Sequence, residues 1–535
     1  MTTVREASYE VLRSMGVTTF FGNPGSNELP FLQQFPDDFR YILALQEGAG
    51  LAMADGYAQS TGKPALVSLH SAAGVGQAMG NLVNSWQAGT PLVLISGQQY
   101  RPLITLQGML TNHDATTLPR PLVKWSFEAP SPQAVPAALT RAIACAMSAP
   151  SGPVYLSVPL SDWNEPADTD NLPYLLGRQV AGRPIADRMA LQALARRLDT
   201  ADNPVLVLGP DVDAYGGWDA AVTLAEKAGL PVKFGTYEYP RISFPTQHPC
   251  YQGTLGASVS QVRDQLAPYD FVAWIGGAVL PYHAWEPGRY LREGTELTLV
   301  TADPDQAARA PLGTAIIGDP AEALVQLADL VTTTRPLPAS MKQPAPVDIS
   351  VQHTGTVSET QLLQVLAEHH PEDAAWVYEA PSLGAWWDRL PITRPNSFFC
   401  GAASALGYGL PAAAGVALAQ PNRPVIALIG DGSANYSITG LWNAAQHNLD
   451  ITYLIVHNGA YQVLKDYGSW LSADGLPGLN LPGIDFTDIA TGYGVPARTV
   501  TTTNDLADAL KQAFGTPGPH LIQVQITDEP STVFD

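Results

Sequence analysis

Asp431 and Asn458 are spaced to share a metal ion. The uninterrupted apolar run Val425 to Ile429 stops at Gly430-Asp431-Gly432-Ser433, as a strand buried on both faces stops at a tight turn. Ile438, Leu441, Ala445 and Leu449 then recur at helical spacing, and a second apolar run, Ile451 to Val456, leads to Asn458. Strand, helix, strand in so short a span is a βαβ unit with parallel strands and a right-handed crossover. Asp431 and Asn458 therefore meet at the carboxyl edge of a sheet, where open α/β sheets bind ligands. One carboxylate, one amide oxygen and the backbone carbonyl of Ala460 form a hard, oxygen-only half-shell. Mg2+, or Ca2+ in its place, completes such a shell with water and phosphate oxygens. Gly432 allows close backbone approach, and the Ser433 hydroxyl and the helix start after it suit a phosphate.

A second set lies near the start of the chain. Ser26, Glu47 and His70 each follow an apolar strand: Thr18 to Phe21, Tyr41 to Leu45, and Ala65 to Leu69. Asn23-Pro24-Gly25 is strong turn chemistry. Glu47 opens a helix running to about Gln59, among Leu43, Leu45, Leu51 and Met53, and no Lys or Arg occurs between Arg40 and Lys63. A carboxyl in such surroundings is expected to have a raised pKa, as suits one that shares a proton with a ligand nitrogen. His283 follows the apolar run Phe271 to Gly277 and is within reach of a neighbouring domain's site.

These residues need three α/β units to position them. At 535 residues the chain is too long for one core. The pattern predicts a domain over residues 1–180, a middle domain over 185–335 and a third over 348–535. The last two are separated by a linker carrying Pro336, Pro338, Pro344 and Pro346. The middle domain reads as Rossmann-like, but Pro204 to Gly209 and Phe271 to Gly277 lack a G-x-G-x-x-G fingerprint, so a nicotinamide-dependent oxidoreductase is the weaker alternative.

A net charge of −21 and a pI near 4.7 argue against nucleic acid and anionic membranes as partners. Phe398 to Pro421 holds no charged residue, yet its glycines and Pro411 mark a buried helix behind a close-packed loop and not a membrane span. Three scattered cysteines suggest neither disulfides nor a zinc site. The amphipathic start, MTTVREASYEVLRSMGV, does not read as a signal peptide, so a cytoplasmic protein is expected.

The GDG-to-Asn arrangement resembles the motif through which thiamine-diphosphate (ThDP) enzymes hold their cofactor. The stretches FGNPGSNELPFL, YILALQE, LHSAAG, TLPRPLVKW, GPVYLSVP, LGPDVDA, FPTQHPC, ARAPLG, GDGSANYSI and LPGIDF extend the resemblance over nearly the whole chain, to the ThDP-dependent 2-keto acid decarboxylases. The resemblance implies three doubly wound parallel-sheet domains, binding pyrimidine, serving as the middle unit, and binding diphosphate. It implies decarboxylation of an aromatic 2-keto acid such as benzoylformate to the aldehyde. Acyloin-type carbon–carbon bond formation or cleavage is the alternative within the same cofactor class.

By resemblance Glu47 activates the cofactor, and Ser26, His70 and His283 bind substrate and move protons. Asp431, Asn458 and the Ala460 carbonyl hold the metal. Cofactor contacts extend to Asn23, Pro24, Gly25, Pro381, Ser382, Ser404, Gly430, Tyr461 and Gln462, and Leu406 props the cofactor in a bent shape. Met109, Leu110, Cys400, Gly401, Val463, Leu464 and Tyr467 are the implied substrate pocket. The family also implies a homotetramer, a dimer of dimers, with active sites between subunits. Departures cluster in that pocket. Cys400-Gly401 replaces Phe-Cys, Gln462-Val463 replaces Gly-Ala, Tyr467 replaces Phe, and Met109-Leu110 replaces a Leu pair. Near the metal His457 replaces the first of two Asn, and Pro381 stands in place of Thr near the diphosphate.

Overall fold

The computed structural model describes residues 1–236, 239–281, 284–341, 356–473 and 475–527. Among them are three six-stranded parallel sheets. The first contains β1 (Thr19–Gly22), β2 (Arg40–Leu43), β3 (Ala65–Leu69), β4 (Leu92–Gln98), β5 (Ser126–Glu128) and β6 (Val154–Pro159), ordered β2-β1-β3-β4-β6-β5. The middle sheet contains β7 (Pro204–Leu208), β8 (Val232–Phe234), β9 (Tyr251–Thr254), β10 (Phe271–Ile275), β11 (Glu296–Thr301) and β12 (Thr314–Ile317). The third contains β13 (Ala375–Glu379), β14 (Phe398–Cys400), β15 (Val425–Gly430), β16 (Ile451–His457), β17 (Ala497–Val500) and β18 (His520–Gln525). Every residue of β3, β4, β6, β7, β10 and β13 is buried, which is why these strands are mostly apolar in sequence.

The third sheet, β14-β13-β15-β16-β18-β17, repeats the order of the first strand for strand. Each therefore has connections leaving in opposite directions from two adjacent central strands, β1 and β3 in one sheet and β13 and β15 in the other. The crevice beyond the strand ends at such a point is where this architecture takes ligands.

The middle sheet, β12-β11-β10-β7-β8-β9, has the dinucleotide-fold order, reversing between β7 and β10. The chain itself fills that crevice. A Cβ on Gly209 would lie 2.0 Å from the Gly276 carbonyl oxygen, and one on Gly235 would lie 2.4 Å from the Tyr239 hydroxyl. Tyr239 also donates to the Ala278 carbonyl at 3.1 Å. The glycine fingerprint that would cradle a pyrophosphate is absent from these strand ends.

Two helices, α1 (Glu47–Thr61) and α2 (Ser71–Gln87), follow β2 and β3. Helix α3 (Gly409–Ala419) packs against α1 with almost no space between backbones. A Cβ on Gly415 would lie 1.9 Å from the Met53 carbonyl oxygen, and one on Gly56 would lie 2.4 Å from that of Ala412. The uncharged segment is thus a buried helix, as its glycines indicated, and it forms a seam between two α/β units. No helix among the described residues is long and apolar enough to cross a membrane. Arg241 ties the three units together. It pairs with Asp213 at 2.6 Å, donates to Asn396 Oδ1 at 3.2 Å, and donates to the Gln59 carbonyl of α1.

One local expectation changes. The helical spacing from Ile438 to Leu449 is realised in pieces: a helical turn Asp431–Ala434, a 3-10 turn Asn435–Ser437 and a short helix Gly440–Gln446. Gly440 meets the backbone of Leu410 and Pro411, so the crossover bends to fit α3 instead of running straight.

Candidate active site

At the β13/β15 reversal, Asp431 begins where β15 ends. Its Oδ1 accepts the Gly432 N–H at 2.7 Å, and its Oδ2 accepts those of Asn458 at 3.2 Å and Gly459 at 2.6 Å. Gly459 has φ +70°, a conformation that turns the chain back toward the carboxylate at little steric cost. Asn458 Oδ1 accepts the Ala460 N–H at 3.1 Å. Burial pushes the Asp431 carboxyl above the usual carboxylate range, while those N–H groups and His457 pull it back. His457 Nε2 lies 3.8 Å from Asp431 Oδ2, and its Nδ1 is 3.0 Å from Gln525 Oε1.

A buried carboxylate held by neutral donors is suited to a cation. Among the described residues no group of three or more His, Cys, Asp and Glu could hold a metal. A site here therefore draws on amide and backbone carbonyl oxygens, the donor set of a hard divalent ion. Gly432 does not offer the open approach expected of it. The Tyr461 ring occupies that face, and a Cβ there would lie 2.4 Å from it.

Around this point lies a cavity of about 670 Å3. Its lining includes Pro381, Ser382, Ser404, Leu406, Gly430, Asp431, Gly432, Ser433, Asn458, Ala460, Tyr461 and Gln462, together with Val463, Leu464 and Tyr467. Pro281 of the middle unit also lines it, while His283 lies outside the described residues. The last five residues of the third-unit set come from one turn and the helix that follows it, α4 (Gln462–Trp470). Cys400 and Gly401 are not on the lining. Cys400 closes β14 in register with Tyr378 and is buried in the hydrophobic core, and Gly401 packs on Asn84 of α2. The chain first reaches the cavity at Ala402.

Two residues not singled out from sequence hold this loop. Glu379, at the end of β13, accepts the N–H groups of Gly407 at 2.7 Å, Tyr408 at 3.2 Å and Gly409 at 2.7 Å. Burial pushes its carboxyl up to about 7 against the pull of those three donors. Asn84 accepts from Ala403 N–H at 3.0 Å and donates to the Ala405 carbonyl at 2.8 Å. Ser404, between them, takes a left-handed φ of 51°. Few non-glycine residues adopt such a conformation, and those that do cluster at functional sites.

The other half lies at the β1/β3 reversal. His70 follows β3 and precedes α2, and its Nδ1 is 2.8 Å from Glu28 Oε2. Glu28 also accepts the N–H groups of Gly25 at 3.0 Å and Gly97 at 2.9 Å. The Asn23-Pro24-Gly25 turn presses on the imidazole, since a Cβ on Gly25 would lie 1.9 Å from Nδ1. Glu47 is buried at the start of α1, and a Cβ on Gly74 of α2 would lie 3.1 Å from its Oε1. Ser71 Oγ donates to the Leu110 carbonyl at 2.7 Å, fixing the Met109-Leu110 loop over His70's helix.

Ser26 and Met109 are exposed, Met109 at 86%. None of Ser26, Glu47, His70, Met109 and Leu110 lines the cavity. Glu28 was missed because only the fold brings it to His70, 42 residues away. Its one sequence signal is an acidic residue directly before the apolar run LPFL.

Two sheets of one topology, with Asp431 and Asn458 at one reversal and a buried Glu47 and half-buried His70 at the other, define a ThDP-binding enzyme architecture. The chain belongs to the thiamine pyrophosphate enzymes. Residues 2–118 match the N-terminal TPP binding domain, 191–327 the central domain and 382–524 the C-terminal TPP binding domain. It is 46% identical to benzoylformate decarboxylase of Pseudomonas aeruginosa over 98% of this chain and 99% of that protein. The ThDP-dependent 4-hydroxybenzoylformate decarboxylase of Rhodococcus jostii RHA1 superposes with a TM-score of 0.96 at 43% identity, covering 99% of this chain and 100% of that one. Benzoylformate decarboxylase from Polynucleobacter necessarius gives 0.95 at 35% identity, with 99% and 100% covered.

Proposed function

We propose that this protein is a ThDP- and Mg2+-dependent decarboxylase that converts an aromatic 2-keto acid of the benzoylformate type to the aldehyde and CO2. The observation that carries the reading is the buried Asp431 carboxylate, beside Asn458 and Ala460, on the wall of a cavity of about 670 Å3. The likeness to decarboxylases of benzoylformate and its 4-hydroxy derivative supports the substrate class.

Asp431, Asn458 Oδ1 and the Ala460 carbonyl would hold the metal, Mg2+ or Ca2+, and Ser433, Ser382 and Pro381 would border the diphosphate. Leu406 would support the cofactor, and the straps from Glu379 and Asn84 keep Leu406 in place. Bound ThDP supplies the electron sink that takes up the pair left when CO2 departs. Glu47 exchanges a proton with the pyrimidine ring. Glu28, already accepting two N–H groups, accepts a third hydrogen bond from His70 Nδ1–H. That leaves Nε2 to give or take the substrate's proton without turning the ring. Ser26 meets the substrate's polar end, with His283 as its partner from the middle unit.

In one chain the first-unit set does not border the cavity, so a second copy brings the two halves together. Apolar surface beside each half supports this, with Leu106 and Met109 exposed near one and Tyr436 and Leu464 near the other. We read the assembly as a homotetramer of two such dimers, with units 1–180, 185–335 and 348–535 binding pyrimidine, bridging and binding diphosphate. Three free cysteines suit a reducing, cytoplasmic setting.

The test is a panel of aryl and branched aliphatic 2-keto acids, assayed for CO2 and aldehyde with ThDP and Mg2+. Turnover of the aryl members is expected, and CO2 from none of them would overturn the reading.

A further inference from the structure

We propose that Ser71 is a positioning residue, which holds Leu110 beside His70 so that the ring of an aryl 2-keto acid meets a wall already in place. The inference rests on the reading above, of an aryl substrate and a site completed by a second copy.

Ser71 directly follows His70, opens α2 and is 2% exposed. Its φ is +49°, and that of Leu110 is +70°. Serine and leucine rarely take this left-handed conformation, which persists only where surrounding contacts impose it and which clusters at functional sites. Here the two residues are bonded to each other, since Ser71 Oγ donates to the Leu110 carbonyl at 2.7 Å. Asn27 Nδ2 approaches the same oxygen at 3.5 Å, and Asn27 stands between Ser26 and Glu28 in the chain. Behind Ser71, Ser96 Oγ of β4 donates to its carbonyl at 3.2 Å. One backbone oxygen of the loop thus meets groups adjoining Ser26, Glu28 and His70, the polar set of the first unit.

Hydrogen bonds hold this loop where apolar packing does not. Leu110 is 37% exposed and Met109 more so, and neither belongs to a core cluster. Gln99 Nε2 donates to the Met109 carbonyl at 2.7 Å, but that bond is exposed and water can take its place. The Ser71 hydroxyl reaches Leu110 from the buried side, where water competes less. A side chain held in place has little freedom to lose when a ring packs against it, whereas a loose one must first be ordered. Cutting the tether therefore weakens binding of the aryl ring and leaves the proton transfer at His70 Nε2 little changed.

The experiment loads the native enzyme, Ser71→Ala and Ser71→Gly with ThDP and Mg2+. It measures kcat and KM for benzoylformate, and hydrogen exchange over residues 108–112. Glycine takes φ +49° freely, so Ser71→Gly should unfold in urea no sooner than Ser71→Ala. Both lack the hydroxyl. In both, KM is expected to rise at least about fivefold, kcat to change less than about threefold, and exchange over the loop to quicken at least about fivefold. KM within about twofold of native in both variants overturns the proposal. A fall in kcat at native KM also overturns it and makes Ser71 a support of the fold or of His70 alone. Failure of both variants to fold overturns it as well, in favour of a purely structural residue. No CO2 from the native enzyme overturns the underlying reading instead.

Discussion

His70 Nδ1 and Glu28 Oε2 lie 2.8 Å apart, and both oxygens of this carboxylate also accept a backbone N–H, from Gly25 and Gly97. Three donors converge on a side chain that is 4% exposed. An amide has a single acceptor oxygen, so Glu28→Gln must leave one donor facing an NH2 group. The expected result is a fall in kcat of roughly ten- to hundredfold with KM changed less than about threefold. Nitrogen-15 NMR of His70 should show Nδ1–H in the native ring and a gain of Nε2–H in the variant. Unchanged kcat with an unchanged tautomer would remove Glu28 from the site.

Glu379 straps the cavity loop to β13, and its carboxyl, pushed up to about 7 from 4.5 by burial, makes that strap pH-dependent. The native state keeps this proton more tightly than the unfolded chain, so its contribution is fully present below pH 4.5 and is lost as pH rises through about 7. The loss amounts to about 3 kcal/mol. Glu379→Gln cannot ionise. The native enzyme's advantage over this variant in urea unfolding should shrink between pH 5 and pH 8, and a constant advantage would contradict the strap's titration.

Asp431 supplies the one carboxylate of the proposed metal shell. Asp431→Ala is expected to fold, because the backbone donors it serves lie at an edge open to water in the cavity. Calorimetric titration with Mg2+ and ThDP should give affinity weaker by at least about a hundredfold, the loss of a charged ligand. Native-like affinity would move the metal elsewhere.

Glu47→Gln should bind ThDP and slow C2 hydrogen–deuterium exchange, read by NMR after acid quench. An amide can bond the pyrimidine ring but cannot hand it a proton. Exchange at the native rate would exclude Glu47 from activation.

Arg241 and Asp213 are 7% and 1% exposed and 2.6 Å apart where three units meet. Removing one partner strands a buried charge, so Arg241→Met should destabilise the fold by about 3–5 kcal/mol. Adding Asp213→Asn should recover part of that loss. A double variant as weak as the sum of the two singles would show that the charges do not act as a pair.

The local units, and the places of Asp431 and Asn458 at the ends of neighbouring strands, were legible in the sequence because their signals are local. Buried parallel strands are unbroken apolar runs, and Gly430-Asp431-Gly432 and Asn458 each follow one directly. β3 spans Ala65–Leu69 and α1 starts at Glu47, as the pattern of residues predicts, because both elements are bounded by their own turn chemistry. The crossover after Asp431 was less legible, since α3 and not its own spacing sets its bends. What tertiary structure decided is which distant groups satisfy one another. Glu28 meets His70, Glu379 meets three N–H groups of a loop 28 to 30 residues on, and Asn84 grips Ala403 and Ala405 from another unit. Nothing in a linear pattern marks a carboxylate as the partner of a remote backbone, because that pairing is driven by burial, and burial is a property of the packed chain. The same holds for Cys400 and Gly401, which sit near the cavity residues in sequence but are turned into the core and toward Asn84 by the register of β14.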